Sequence, residues 1–273
     1  MLSGPVKVSS LGRAALHYHP LQDDSAAPMA PLPPIVQPDP TLEAADAAMI
    51  AAERAQPRRT YLGMSALGDE CSRRLWYNFH DPLPQDFDAA TLKRFADGHA
   101  SEDVLVNRIR AVHGVSLMAV DPTTGRQWAL EDFGGRLRGH MDGVVIGLLQ
   151  APKTWHVFEA KSANEKSFAK LTKLKAEKGE KDALRAWNPT YWAQAILYLG
   201  YSEMTRHWLV CCTPGARDWI SVRTEFDPAE FASLKDKARR ILDARAPLAK
   251  LSNDGSWFAC KWCHYHARCH GGA

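Results

Sequence analysis

Residues 135–162 read GRLRGHMDGVVIGLLQAPKTWHVFEAKS, and this stretch decides how the rest of the chain is read. Two strand-like segments, Gly135 to Gly147 and Trp155 to Ser162, flank a short connection containing Pro152, which is the pattern of a β-hairpin. Side chains at i and i+2 on a strand share a face, so Glu159 and Lys161 project together. Hairpin pairing brings Asp142 beside them, and two carboxylates and an ammonium converge. Hard divalent cations such as Mg²⁺ or Mn²⁺ take oxygen ligands, and paired carboxylates can hold them against a phosphate. The lysine could stabilise charge developing on that phosphate or help position an attacking water. On its own the trio is a weak signal, because a solvated sheet edge carries the same residues.

Outward from the hairpin, a short helix is expected at Cys71 to Tyr77 and a longer one from about Ala90 to His113, ended by Gly114. A 100° step places Glu102 between Phe95, Val106 and Ile109 on the face expected to turn inward, with His99 on the same stripe. An unpaired charge there is costly to bury, so Glu102 is either neutralised by an arginine or is a metal ligand in a cleft. After the hairpin a polar, Lys-rich segment from Asn164 to Leu184 precedes a helix at Pro189 to Gly200, on which Gln194 and Tyr198 share one face. Both can donate hydrogen bonds to phosphate oxygens. Strands follow at His207 to Cys212 and Trp219 to Phe226, then a helix from Pro228 to Ala244. The expectation is an α/β fold, a mixed β-sheet flanked by helices.

Six cysteines in 273 residues divide by context. Cys260, Cys263 and Cys269 supply three thiolates within ten residues, and Cys71 is the candidate fourth for a tetrahedral or cubane site. Four thiolates suit either Zn²⁺ or an iron-sulfur cluster. Cys211 and Cys212 sit in an apolar strand and read as core.

Residues 1–58, with their Pro-rich stretch from Pro20 to Pro40, read as a disordered or extended arm holding one helix from Thr41 towards Pro57. Residues 59–273 read as one domain. No apolar run approaches the ~20 residues of a membrane span and no secretory leader is apparent, so a cytoplasmic protein without a membrane partner is expected. The net charge of +3 says little about partners, yet Lys161 to Arg185 holds eight basic and four acidic residues, among them Lys166, Lys170 and Lys173. That local excess suits a phosphate backbone track, or simply a solvated helix face.

Taken in order, these groups resemble the RecB-like branch of the PD-(D/E)XK nucleases, specifically its iron-sulfur members. The motifs are Ser65-Ala66-Leu67 running into Cys71-Ser72-Arg73-Arg74, Gly98 to Glu102, Gly139 to Asp142, Glu159 to Lys161, Gln194 to Tyr198, and Cys260, Cys263 and Cys269. No one of them is specific; six in the right order carry the resemblance, over Tyr61 to Cys269. It is similar to CRISPR-associated RecB-like exonucleases, AddB-type nuclease domains and phage exonucleases. The resemblance implies a restriction-endonuclease-like core and a metal-dependent DNA exonuclease, with a recombination or single-strand-annealing protein as a conceivable partner and the host cytoplasm as its place if phage-encoded. It further implies Asp142, Glu159 and, by spacing over His99, Glu102 as ligands of Mg²⁺ or Mn²⁺, with Lys161 assisting the attack. Gln194 and Tyr198 would position the strand, and Arg73 or Arg74 would meet a terminal phosphate. Cys71, Cys260, Cys263 and Cys269 would hold a structural 4Fe-4S cluster, with Zn²⁺ as the alternative. The competing class is a non-catalytic nucleic-acid-binding module that keeps the four-cysteine site.

Overall fold

In a computed structural model the chain is described over residues 39–84 and 86–271, so most of the expected N-terminal arm lies outside the described residues. Contacts group residues 41–273 as one unit. The first helix, α1 (Pro40–Arg54), therefore groups almost wholly with it, through ion pairs Asp46–Lys93 at 2.6 Å and Arg54–Asp86 at 2.6 Å.

Among the described residues eight strands form two sheets. The smaller has the order β1 (Leu62–Gly63), β4 (Leu137–Met141), β3 (Trp128–Asp132), with β1 parallel and β3 antiparallel to β4. The larger has the order β2 (Ser116–Met118), β5 (Gly143–Ile146), β6 (His156–Ser162), β7 (Arg206–Cys212), β8 (Trp219–Glu225). Within it only β6 and β7 run parallel. The fold is mixed α/β, but with two mixed sheets where the sequence suggested one.

The strand expected as a single run from Gly135 to Gly147 is two strands, one in each sheet. Asp142 sits at the break. Its Oδ2 accepts the Ala160 backbone N–H at 2.8 Å, so a side chain takes the bond that a continuing ladder would make. The hairpin itself survives as β5 on β6, with Gly143 opposite Phe158, and one further step in that register sets Asp142 opposite Glu159. The strands β1, β2 and β3 were not legible: each is short, and β3 is half-exposed throughout.

Alternation along β6 divides the core. Phe158 and Ala160 point with Trp208, Val210 and Cys212 to one face, where Leu105, Val106 and Ile109 of α3 (Ala89–Arg110) cover them. Val157 points to the other, with Leu209 and Cys211, beneath α5 (Pro189–Ser202). Helix α5 is buried on all sides from Trp192 to Leu199. It starts where the Asn188 side chain accepts the N–H groups of Thr190 and Tyr191 and Pro189 fixes the first turn. The expected inward Phe95 is instead 48% exposed, stacked edge-on against Phe87; the buried stripe of α3 runs through Leu92, Ser101, Leu105 and Ile109.

The Lys-rich segment is helical, as α4 (Glu165–Trp187), broken by Gly179 at φ 78°. Its periodicity is hidden because only Leu171, Ala183, Leu184 and Trp187 are buried along 23 residues. Beyond the kink it is tied to β8 by Glu180 to Arg223 at 2.6 Å and Lys181 to Glu225 at 2.7 Å. Trp187 and Trp192 both pack in the core. Helices α2 (Ser72–His80) and α6 (Pro228–Asp243) pack together, and two short helices, α7 (Phe258–Lys261) and α8 (His266–His270), follow near the C-terminus. No helix among the described residues is long and apolar enough to cross a membrane.

Candidate active site

A cleft of about 1240 Å³ opens over the junction of the two sheets, and Glu102, Asp142, Glu159, Lys161, Gln194 and Tyr198 all line it. Three elements bring them together: α3 supplies Glu102, the break between β4 and β5 with β6 supplies the Asp, Glu and Lys, and α5 supplies the Gln and Tyr.

Glu159 is 2% exposed and lies at the centre. Its Oε1 accepts from Gln194 Nε2 at 2.7 Å and from the Lys161 ammonium, while its Oε2 is buried with no hydrogen-bond partner. Gln194 Nε2 also reaches the Tyr198 hydroxyl at 3.1 Å, and that hydroxyl donates to the His140 carbonyl at 2.8 Å. A chain of bonds thus runs from β6 through α5 to the backbone two residues before Asp142. Tyr198 can come this close because residue 139 is glycine: a Cβ there would stand 2.6 Å from the Tyr198 ring and 2.7 Å from Met64 Sδ.

Burial raises the Glu159 carboxyl to about 8, although Lys161 opposes it. Burial also raises Glu102 to about 7, reinforced by the charge of Asp142, with which it shares a hydrogen bond. Burial raises Asp142 as well, against the pull of Lys161 and the Ala160 N–H. Burial works against the Lys161 ammonium, but Glu159 and Asp142 outweigh it and raise its pKa. Lys161 therefore stays charged, with its Nζ 5.4 Å above the Tyr191 ring.

These features describe a cleft with more carboxylate than its one buried ammonium neutralises, and a buried carboxylate oxygen without a hydrogen-bond partner on a residue that lines it. The donor chemistry fits a hard divalent cation. Among the described residues no three His, Cys, Asp or Glu side chains are yet gathered as one bound ion requires.

Some residues the sequence did not single out also line the cleft: Tyr191, Arg59, Tyr61 and Arg138. Tyr191 could have been found from its i, i+3, i+7 spacing with Gln194 and Tyr198 on α5. His99 is exposed on the cleft wall rather than packed in the core. Lys166, Lys170 and Lys173 stand exposed on the first half of α4 and do not line the cleft; Lys173 faces Glu177 at 3.7 Å.

Cys71, Cys260, Cys263 and Cys269 line a second, small cavity of about 20 Å³, and Arg73 and Arg74 line it with them. The two arginines are thus placed by the cysteines and not by the carboxylates. Arg73 donates to the Leu248 carbonyl at 2.8 Å, and Arg74 pairs with Asp69 at 2.5 Å. Cys71 caps α2, its sulfur accepting the Arg74 N–H at 3.4 Å. Four thiols and two guanidiniums fit an anionic thiolate centre in kind, while the space between them is that of about one water molecule. Cys211 and Cys212 are fully buried, and burial pushes the Cys211 thiol up to about 12.

No family model matches the chain, and no curated protein does. Solved structures share its general arrangement at low identity. An alkaline exonuclease from Laribacter hongkongensis is 16% identical with a TM-score of 0.46, over 72% of this chain and 90% of that one. A phage-related exonuclease from Haemophilus somnus 129PT is 10% identical with a TM-score of 0.45, over 66% and 91%. The protein SSO0001 is 13% identical with a TM-score of 0.44, over 84% and 96%. At these scores the likeness assigns no activity.

Proposed function

We propose that the chain is a metal-dependent nuclease, a DNA exonuclease that hydrolyses phosphodiester bonds. The observation that carries this is that Glu102, Asp142 and Glu159 line one cleft, with a buried, unpartnered Glu159 Oε2 beside a charged lysine.

Glu102, Asp142 and Glu159 would hold Mg²⁺ or Mn²⁺, which when bound lowers the pKa of water and offsets charge on the phosphoryl group. The chain's own residues set up the rest. Gln194 holds Glu159 by one oxygen and leaves the other without a hydrogen-bond partner. Tyr198 fixes Gln194 and ties it to the strand that ends at Asp142. Lys161, kept protonated by its carboxylate neighbours, cannot serve as a base near neutral pH; it contributes a fixed positive charge against the pentavalent phosphorus centre. Cys71, Cys260, Cys263 and Cys269 would hold a 4Fe-4S cluster, or Zn²⁺, which supplies a tie between α2 and the C-terminal segment. The exposed Lys166 and Lys170 of α4 supply cations for a nucleic-acid backbone outside the cleft.

The test is digestion of 5′- and 3′-labelled single and double strands with Mg²⁺ and with Mn²⁺, comparing wild type with Asp142→Ala and Lys161→Ala. Both variants are expected to fold and to lose cleavage. Wild-type rates in both would overturn the assignment.

A further inference from the structure

Of the large apolar side chains that the fold leaves exposed, four fall within twelve residues: Leu251, Trp257, Phe258 and Trp262. Trp257 is 50% exposed, Phe258 68% and Trp262 80%, whereas Trp76, Trp187, Trp192 and Trp208 are buried. None of the three exposed rings lines the acidic cleft. Leaving such rings in water forgoes the burial each could gain against a partner.

The backbone that carries the rings is held in place. The Trp257 carbonyl accepts the N–H groups of Cys260 and Lys261, both at 2.8 Å, and Cys260 is buried. Tyr265, three residues beyond Trp262, stacks on Tyr77 at 5.0 Å, which fixes the turn to α2. Trp257 and Phe258 stand 5.5 Å apart with their planes inclined by 53°, so each keeps an open face. Lys261 falls between Phe258 and Trp262 in the chain, and Lys250 just precedes Leu251. Lys261 lies 5.2 Å over the Trp262 ring, and neither it nor Lys250 has an ion pair among the described residues. Arg268 is already paired with Asp81 at 2.6 Å, and the one acidic side chain of the segment, Asp254, is turned onto Ser256.

We infer that this aromatic turn is a second nucleic-acid contact, on which Trp257, Phe258 and Trp262 stack the bases of a single strand while Lys250 and Lys261 meet its phosphates. The inference rests on the nuclease reading. The separate open ring faces and unpaired cations fit a strand with π-faces and regular negative charge. An apolar protein surface would leave those cations unmatched, and a duplex keeps its base faces stacked away from the rings.

The experiment measures binding of a labelled oligothymidine of about 20 nucleotides, and of a duplex of the same length, to the full chain in chelator. It compares wild type with the Phe258→Ala/Trp262→Ala double variant, with Trp262→Phe and with Lys261→Met. Hydrolysis of bis(p-nitrophenyl) phosphate with Mn²⁺, a diester too small to reach the turn, is followed in parallel. Expected are at least about a tenfold weaker single-strand affinity in the double variant, near-wild-type affinity in Trp262→Phe, and a shallower salt dependence in Lys261→Met. The rate on the small diester should be unchanged. Single-strand affinity within twofold of wild type in the double variant overturns the inference, and hydrolysis of the small diester then shows that the nuclease reading stands without it. If instead the variant loses only self-association, seen by sedimentation, the surface belongs to a protein contact and the inference is wrong. A wild type that binds no DNA and leaves the small diester intact sinks both.

Discussion

Gln194 Nε2 donates to Glu159 Oε1 at 2.7 Å, joining the buried helix α5 to the central strand β6 inside the cleft. Because the same oxygen also takes the Lys161 ammonium, the carboxylate cannot rotate, and Oε2 is the only oxygen left to bind anything else. Gln194→Ala should free that rotation. We expect kcat to fall by about 10- to 100-fold with KM little changed, since the group positions a catalytic residue and does not bind substrate by itself. Steady-state kinetics on labelled DNA decide it; a rise in KM alone would mean that Gln194 contacts the strand instead.

Asp142 has two separable tasks, capping the Ala160 N–H and presenting charge to the cleft. Asp142→Asn keeps an acceptor oxygen, so stability should hold while cleavage drops by about a thousandfold or more. Asp142→Ala should lose cleavage and, in addition, about 1–3 kcal/mol of stability for the orphaned N–H. Thermal unfolding of the two variants side by side tests this; equal melting temperatures would show that the cap contributes nothing.

Gly139→Ala should destabilise without touching a polar group. The new methyl would stand within 2.7 Å of both the Tyr198 ring and Met64 Sδ. Overpacking of this kind costs about 1–3 kcal/mol, and pushing Tyr198 off the His140 carbonyl should slow cleavage too. A variant with wild-type melting temperature and rate would remove the steric explanation for glycine at this place.

The raised carboxyls give a pH dependence of known sign. Glu159 at about 8 in the fold lies above its ordinary 4.5, so the folded state binds the proton more tightly than the unfolded chain does. The stability linked to it is fully present below about pH 4.5 and lost as the pH climbs through 8. Glu102, raised to about 7, acts in the same direction. Burial holds His207 near 3 and lowers His156, so above pH 6.5 both are neutral and add no slope. Between pH 6.5 and 8.5 in chelator, the melting temperature should fall, and Glu159→Gln should flatten the fall. Mg²⁺ should stabilise wild type more at pH 8.5 than at 6.5. A wild-type curve that is flat or rising over this range contradicts the assignment.

Cys71 and the three C-terminal cysteines face one cavity from opposite ends of the sequence. Anaerobic purification should yield bound iron and sulfide with broad absorbance near ~400 nm, and Cys263→Ser should lower both the metal content and the melting temperature. Stoichiometric zinc in a colourless sample would assign the site to Zn²⁺.

The six cleft-lining residues could be read along the chain in four separate motifs, two of them because side chains on one face obey local spacing: i+2 on β6 and i+4 on α5. The hairpin itself was legible from two strand-like segments flanking a short Pro-containing connection, and its register came from the structure. Not legible was the break at Asp142, where one side-chain hydrogen bond sends the chain from one sheet to the other. Helix α4 was only one of two readings of its segment, because its buried residues are few and a glycine interrupts it. Arg73 and Arg74 looked free for phosphate, since their motif does not show that Leu248 and Asp69 occupy them.

The sequence by itself determined the α/β class, the helices beginning at Pro189 and Pro228, and the burial of Cys211 and Cys212, because each follows from local periodicity or from the φ that proline fixes. Only the tertiary structure decided which oxygen of Glu159 is free, which rings stay in water at the C-terminus, and which arginines are already spoken for. Those properties depend on groups up to 187 residues apart meeting in space, as Arg268 meets Asp81 and, across 175 residues, Arg73 meets Leu248. No pattern within a short window of sequence can encode such a meeting, because the long-range packing that creates it is the outcome of folding and not its local cause.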